Sequence, residues 1–268
     1  MSVIQVKLRS GCMMRPMDFT MFLPNDISPR LKEGNPHYDR PVKTIILLHG
    51  YTVDNYEWLY YSFPDELAVK YNLAVVIPSC DSSFYLDRPG TGNAMGTYVG
   101  RELVEYLRKT FGLAERAEDT IVCGYSMGGF GALHTALAFP ENFSCALALS
   151  SALIIYDIAG MKPGPKPANV LADYDYYREV FGDLDTVAES ENNPEVLVKK
   201  LLKEGRPIPE LYMTCGDNDF LLQSNLRFRD FLKENGVPVE YVQGTGIHNF
   251  EFWNRAIGPA VEWALREK

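Results

Sequence analysis

The chain alternates short, wholly apolar runs with longer segments of helical spacing. VKTIILLHG (42–50), LAVVIPS (73–79), DTIVCGYS (119–126), CALALSSAL (145–153), ELYMTCGD (210–217) and VEYVQGTG (239–246) read as strands. Between them, SFPDELAVKYN, YVGRELVEYLRKTFG, MGGFGALHTALAFP, NPEVLVKKLLKEG, LLQSNLRFRDFLKENG and the C-terminal FEFWNRAIGPAVEWALREK space their apolar residues as helices do. Pro64 falls in a first helical turn and Gly112 at a helix end, where each residue is best tolerated. Strands with no polar alternation are buried on both faces, and strands that alternate with helices build a parallel sheet. The expected fold class is therefore α/β, a mostly parallel central sheet with helices on both faces. At the N-terminus the pattern is different. VIQVKLRSGCMMRPMDFTMFLP alternates polar and apolar on both sides of Ser10-Gly11, which predicts an antiparallel hairpin. Residues 26–40, rich in Pro, Asn and charge, are expected to form a loop.

The rhythm breaks once. Between residues 154 and 209 a Pro/Gly-rich loop, GMKPGPKPAN, and an aromatic stretch, DYDYYREVFGDL, precede the next strand. Residues 154–209 are thus expected to be a small cap inserted within a single domain of residues 1–268. The cap would lie over the edge of the sheet where α/β proteins bind ligands.

Composition narrows the partners. The 268 residues are 46% hydrophobic and 23% charged, enough to bury a sizeable core. The net charge of −9 argues against nucleic acid or an anionic membrane as a main partner. No run of about 18 apolar residues is present to span a membrane. The N-terminus lacks the apolar stretch of a signal peptide. Cys12, Cys80, Cys123, Cys145 and Cys215 are an odd count without C-x-x-C spacing. They read as reduced thiols of a cytoplasmic protein rather than a disulfide framework or zinc site. The number of copies in the assembly is left open.

The chemistry gathers around GYSMGGFG (124–131). Gly124-Tyr125-Ser126-Met127-Gly128 is G-x-S-x-G, lying between a predicted strand and a predicted helix. In that setting the serine sits on a sharp, strained turn, exposed as a nucleophile. Gly124 and Gly128 leave room for neighbouring backbone, and Gly129 and Gly131 would let the helix approach the sheet. A serine needs a base. Of four histidines, His37 lies in the polar loop and His49 ends a buried strand, where it would orient the next loop. His134 lies in the helix after the serine as a packing residue. His248, in GTGIHNFEFW, turns between the last strand and last helix at the same sheet edge as Ser126. It is the expected base. CGDNDFLL supplies an acid to orient it, Asp217 or Asp219, and position alone does not choose between them. The order Ser, Asp, His is that of α/β-hydrolases. The oxyanion would be held by the backbone N–H of Met127 and of Tyr51. Tyr85, Tyr176 and Tyr177 are candidates for pocket lining. GTGNAMG (90–96) misplaces the third glycine of a dinucleotide fingerprint, and DNDFLL lacks calcium-loop ligands.

Taken together, MFLPND, LLHGYTVDNYEW, VIPSCDSSFY, GYSMGGFGAL, CGDNDFLL and GTGIHNFEFWN resemble the esterase D-type α/β-hydrolase family, and most closely its bacterial tributyrin esterase branch. The resemblance runs from the hairpin to the last helix and is weakest between residues 154 and 209. It implies an α/β-hydrolase fold with Ser126 as nucleophile, His248 as base and Tyr51 and Met127 as oxyanion donors. It selects Asp219 over Asp217, because the family's acid stands three places after the strand-ending glycine. It further implies a serine carboxylesterase that hydrolyses short-chain acyl or aryl esters through an acyl-enzyme, with no cofactor and no metal. The partner is a small-molecule ester. Alternatives within the family are a feruloyl or acetyl-sugar esterase and a thioesterase like S-formylglutathione hydrolase. Outside catalysis, a binding protein could retain the fold.

Overall fold

The chain is described by a computed structural model in which residues 1–168 and 170–267 are placed. Among the described residues, eight strands form one sheet: β1 (Ser2–Arg9), β2 (Pro16–Leu23), β3 (Lys43–Leu48), β4 (Leu73–Pro78), β5 (Thr120–Tyr125), β6 (Cys145–Leu149), β7 (Glu210–Gly216) and β8 (Val239–Gly244). Their order across the sheet is β1-β2-β4-β3-β5-β6-β7-β8. The N-terminal pair is the antiparallel hairpin that the alternation predicts, with Ser2 opposite Leu23 and Arg9 opposite Pro16. β2 joins β4 antiparallel, and every later pairing is parallel.

Alternate residues of the central strands feed two apolar layers, as the period of two along a strand requires. Ile46, Leu48, Val76, Val122, Ala146 and Ala148 face one layer. Ile45, Leu47, Val75, Ile77, Ile121, Cys123 and Leu147 face the other. The second layer is closed by helix α1 (Pro64–Tyr71) and the C-terminal helix, through Leu67, Ala68, Phe252, Trp253, Ile257 and Val261. The first is covered by α2 (Leu103–Phe111), α3 (Met127–Ala138), α4 (Tyr174–Phe181), α5 (Pro194–Glu204) and α6 (Leu222–Glu234). The C-terminal helix, Phe250–Ala264, is α7. The fold is thus that of the α/β-hydrolases.

Three local expectations differ from the structure. The loop of residues 26–40 holds a helical turn at Pro29–Lys32 and a 3-10 turn at Pro36–Tyr38, both started by proline at the first helical positions. His37, expected at the surface, is half-buried with its ring edge against Tyr71 at 5.4 Å. Within residues 154–209, α5 packs against α3 and carries the chain from β6 to its parallel neighbour β7. Parallel neighbours need such a crossover, so α5 belongs to the layered body.

Candidate active site

β5 ends at Tyr125 and α3 begins at Met127, so Ser126 alone makes the turn from strand to helix. It does so at φ 55°, ψ −119°, a conformation that non-glycine residues rarely adopt. The surrounding backbone holds it there. The Ser126 N–H donates to the Leu149 carbonyl at 2.9 Å, and the Ala152 N–H donates to the Ser126 carbonyl at 2.9 Å. A side chain at Gly124 would collide with the Gly128 backbone, and one at Gly128 with the carbonyls of Leu48 and His49. Close backbone approach is therefore why those two positions are glycine. Gly131 has a different role from the one expected. It faces the ring of Tyr85 rather than the sheet.

His248 reaches the serine from the loop between β8 and α7. Its Nε2 lies 2.9 Å from Ser126 Oγ, and its Nδ1 lies 2.9 and 3.1 Å from the two carboxylate oxygens of Asp219. With Nδ1–H donating to Asp219, Nε2 is free to accept the Ser126 hydroxyl proton. Asp219 follows β7 and its side chain is fully buried. Burial pushes its carboxyl up, but the His248 hydrogen bond and charge, the Leu221 N–H and the Ser150 hydroxyl outweigh that. Together they leave it below the usual carboxylate range. Asp217 is turned to another task. It is exposed, accepts from the Gly246 N–H at 3.0 Å and from the Asn218 side chain at 2.8 Å, and so ties the β7 turn to the β8 turn.

Met127 is the first residue of α3, so its N–H is one of the donors a helix leaves unsatisfied at its start. Tyr51 stands just beyond the end of β3. The loop that carries it is fixed by His49, which is fully buried. Cys80 N–H donates to His49 Nε2 at 3.0 Å, and His49 Nδ1 lies 2.9 Å from the Gly50 carbonyl. Burial pushes the His49 pKa down, which suits a neutral ring used as a bracket. The Tyr85 hydroxyl donates to the His49 carbonyl at 2.9 Å and is wholly buried, so Tyr85 supports this loop instead of lining a pocket. The Tyr51 ring packs on Tyr176 at 5.3 Å. His134 is a packing residue, stacked on Phe130 with Nε2 at 3.0 Å from the Glu191 carbonyl.

Some supporting residues carried no signal that we read in the sequence. Ser150, at φ 46°, accepts from Trp253 Nε1–H at 3.0 Å and helps hold the Asp219 carboxylate. Trp253 in turn sets its ring edge against His248 at 5.0 Å. Phe220 covers the other side of the imidazole at 4.6 Å. The pair Ser150-Ser151 ending an apolar strand at the sheet edge of Ser126 was the available clue.

Among the described residues, two cavities open onto Ser126. One, of about 670 Å³, includes His248, Phe250, Trp253, Tyr61 and Glu57 in its walls. The other, of about 440 Å³, includes Met127, Phe84, Val170, Tyr177 and Asp157. Among the described residues, no group of three or more His, Cys, Asp or Glu is arranged to hold a metal ion, and no helix is long and apolar enough to cross a membrane.

A strained serine at a strand-to-helix elbow, hydrogen-bonded to a histidine that meets a buried carboxylate, defines a serine hydrolase of the α/β-hydrolase class. The family follows from comparison. Residues 10–264 match the model of the esterase family, described as "Putative esterase", and the chain belongs to that family. It is 40% identical over 264 residues to an acetyl esterase from Caldicellulosiruptor saccharolyticus, covering 98% of each chain. Its structure resembles that of the fluorophosphonate-binding serine hydrolase FphF of Staphylococcus aureus, at TM-score 0.83 and 28% identity over 99% of both chains. The S-formylglutathione hydrolase FrmB of the same organism gives TM-score 0.81 and 27% identity, again over 99% of both chains. The protein is a serine esterase, a hydrolase of carboxylic esters acting on small-molecule ester substrates.

Proposed function

We propose that the protein is a carboxylesterase for short acyl and aryl esters, working through an acyl-Ser126 intermediate. The observation that carries this reading is the unbroken hydrogen-bond line from Ser126 Oγ through His248 to Asp219. His248 Nε2 takes the hydroxyl proton as Oγ attacks the ester carbonyl carbon. The N–H groups of Tyr51 and Met127 hold the resulting oxyanion, each such donor typically contributing about 3 kcal/mol. His248 then gives its proton to the departing alcohol oxygen. Water, deprotonated by the same histidine, attacks the acyl-enzyme and frees the acid. Asp219 keeps the imidazole in the required tautomer and stabilises its charged form.

The acetyl esterase relative supports a short acyl group, and the 440 Å³ cavity leaves room for a longer or aromatic one. In this reading residues 1–268 are one domain, and the first part of residues 154–209, up to α4, is its cover. Tyr176 anchors that cover by donating to the Ser82 carbonyl at 2.7 Å, and the Tyr177 hydroxyl accepts from Leu171 and Ala172 N–H at 3.2 Å. The odd count of cysteines without C-x-x-C spacing suits a reducing, cytoplasmic compartment. The test is kcat/KM on p-nitrophenyl acetate, butyrate and octanoate and on methyl ferulate, with fluorophosphonate labelling of wild type and Ser126→Ala. Turnover that ranks by acyl size, with labelling lost in the variant, is the expected result. Absence of both turnover and labelling in wild type would leave only a binding role.

A further inference from the structure

The two cavities do different jobs if Ser126 and His248 act as just described, and this inference rests on that reading. His248 must protonate the leaving oxygen, so the cavity it lines takes the alcohol. The other cavity, floored by Met127 and lacking His248, takes the acyl group. Each cavity has one carboxylate in its wall: Glu57 on the alcohol side, Asp157 on the acyl side. Among the described residues, neither wall includes a lysine or an arginine. Glu57 accepts from the hydroxyl of Tyr125, the residue before the nucleophile, a neutral donor that brings no positive charge. Burial pushes the Asp157 carboxyl up, the Arg227 guanidinium draws it partly back, and that guanidinium is shared with other partners. It lies 2.6 Å from Glu195 and 3.8 Å over the ring of Tyr156. The net charge of −9 adds a field of the same sign.

We propose that this cleft rejects anionic substrates on both sides, Asp157 screening the acyl group and Glu57 the leaving group. The substrate class is therefore neutral or cationic esters. A glutathione thioester, whose leaving group carries net negative charge at neutral pH, is disfavoured. Apolar walls strengthen the effect, because a charge entering them loses its hydration and meets a carboxylate instead of a partner.

The experiment pairs substrates that differ by one carboxylate. p-Nitrophenyl butyrate and p-nitrophenyl hemisuccinate probe the acyl side. Phenyl acetate and 4-carboxyphenyl acetate probe the alcohol side. All are assayed near pH 8, where the carboxyl groups of the two anionic substrates are ionised. The readout is the ratio of kcat/KM, anionic over neutral. In wild type it is expected to be at least roughly tenfold below one for each pair, and to rise with salt as screening shortens the field. Asp157→Asn should raise the hemisuccinate ratio roughly tenfold and leave the carboxyphenyl ratio in place, and Glu57→Gln should do the reverse. Wild-type ratios near one, or ratios that neither salt nor the matching variant moves, would overturn the proposal. Should a variant fail to fold, the salt series on wild type still decides. Turnover of the neutral esters with a low anionic ratio supports both readings. Loss of turnover on every substrate, together with no labelling of Ser126, would overturn the esterase reading and this one with it.

Discussion

The two walls of the cleft are built on opposite terms. On the lower side, Ser126, Asp219 and His248 stand at the ends of β5, β7 and β8, next to strands whose backbones are paired along their length. On the upper side, the wall comes from short pieces: Ala152, Ile154 and Asp157, then Ala168, Val170 and Leu171, then Tyr177. These are held by local backbone turns and by side-chain hydrogen bonds rather than by a sheet. The difference teaches where each property of the enzyme resides. A sheet edge fixes atoms to the tolerance that proton transfer needs. A wall of loop and short helix can vary in size and charge without disturbing that geometry, which is where specificity belongs.

Substitutions can break or sharpen this contrast, beginning with the largest effect. Ser126→Ala should lower kcat/KM on p-nitrophenyl butyrate by roughly a thousandfold or more and leave the melting temperature nearly unchanged. Retained turnover would remove the serine from the lower wall's chemistry. Asp219→Asn should cost roughly a hundred- to ten-thousandfold in kcat, because the amide can hold the wrong histidine tautomer.

The same substitution carries a pH signature. The Asp219 carboxyl titrates below its unfolded value of about 3.9, so its contribution to stability is present above that pH and is lost as the pH falls through the folded value. The stability margin of wild type over Asp219→Asn, read by urea unfolding, should therefore shrink on acidification below about pH 4. A margin that grows on acidification would show that the carboxylate is not held ionised.

Gly128→Ala is a structural test of the lower wall. Its methyl group would meet the Leu48 and His49 carbonyls, and a loss of about 2–4 kcal/mol with most activity is expected. Unchanged stability would mean that the elbow can open. On the upper wall, Tyr177→Phe strips an acceptor from two amides and should cost about 1–2 kcal/mol. It should alter the ranking of butyrate against octanoate more than it alters kcat on acetate. Asp217→Asn is the smallest perturbation, with less than about threefold change in kcat expected at this exposed side chain. A loss comparable to that of Asp219→Asn would reassign the acid.

The lower wall was legible in the sequence to a degree that the upper wall was not. Apolar runs of five to seven residues can be buried strands only if helices cover both faces, so the layered sheet followed from periodicity. G-x-S-x-G between a strand and a helix located Ser126, because only glycines fit where the backbone crosses so closely. Asp217 and Asp219 stayed tied on spacing, since both follow the same strand by a few residues. Only the fold shows one carboxylate turned inward to His248 and the other bracing a turn. Tyr85 was misread for a similar reason. Aromatic character marks a residue that will be buried, but not whether it will line a pocket or support the loop behind it.

What the sequence determined by itself was the set of elements, their order and the three side-chain types that meet at the sheet edge, because these are consequences of local periodicity and of backbone sterics. What the tertiary structure decided was the set of long-range meetings: Ser150 and Trp253 behind Asp219 and His248, α5 as crossover, and the two carboxylates in the two walls of the cleft. Those depend on how segments more than a hundred residues apart pack in space, and no local pattern in the chain encodes such a distance.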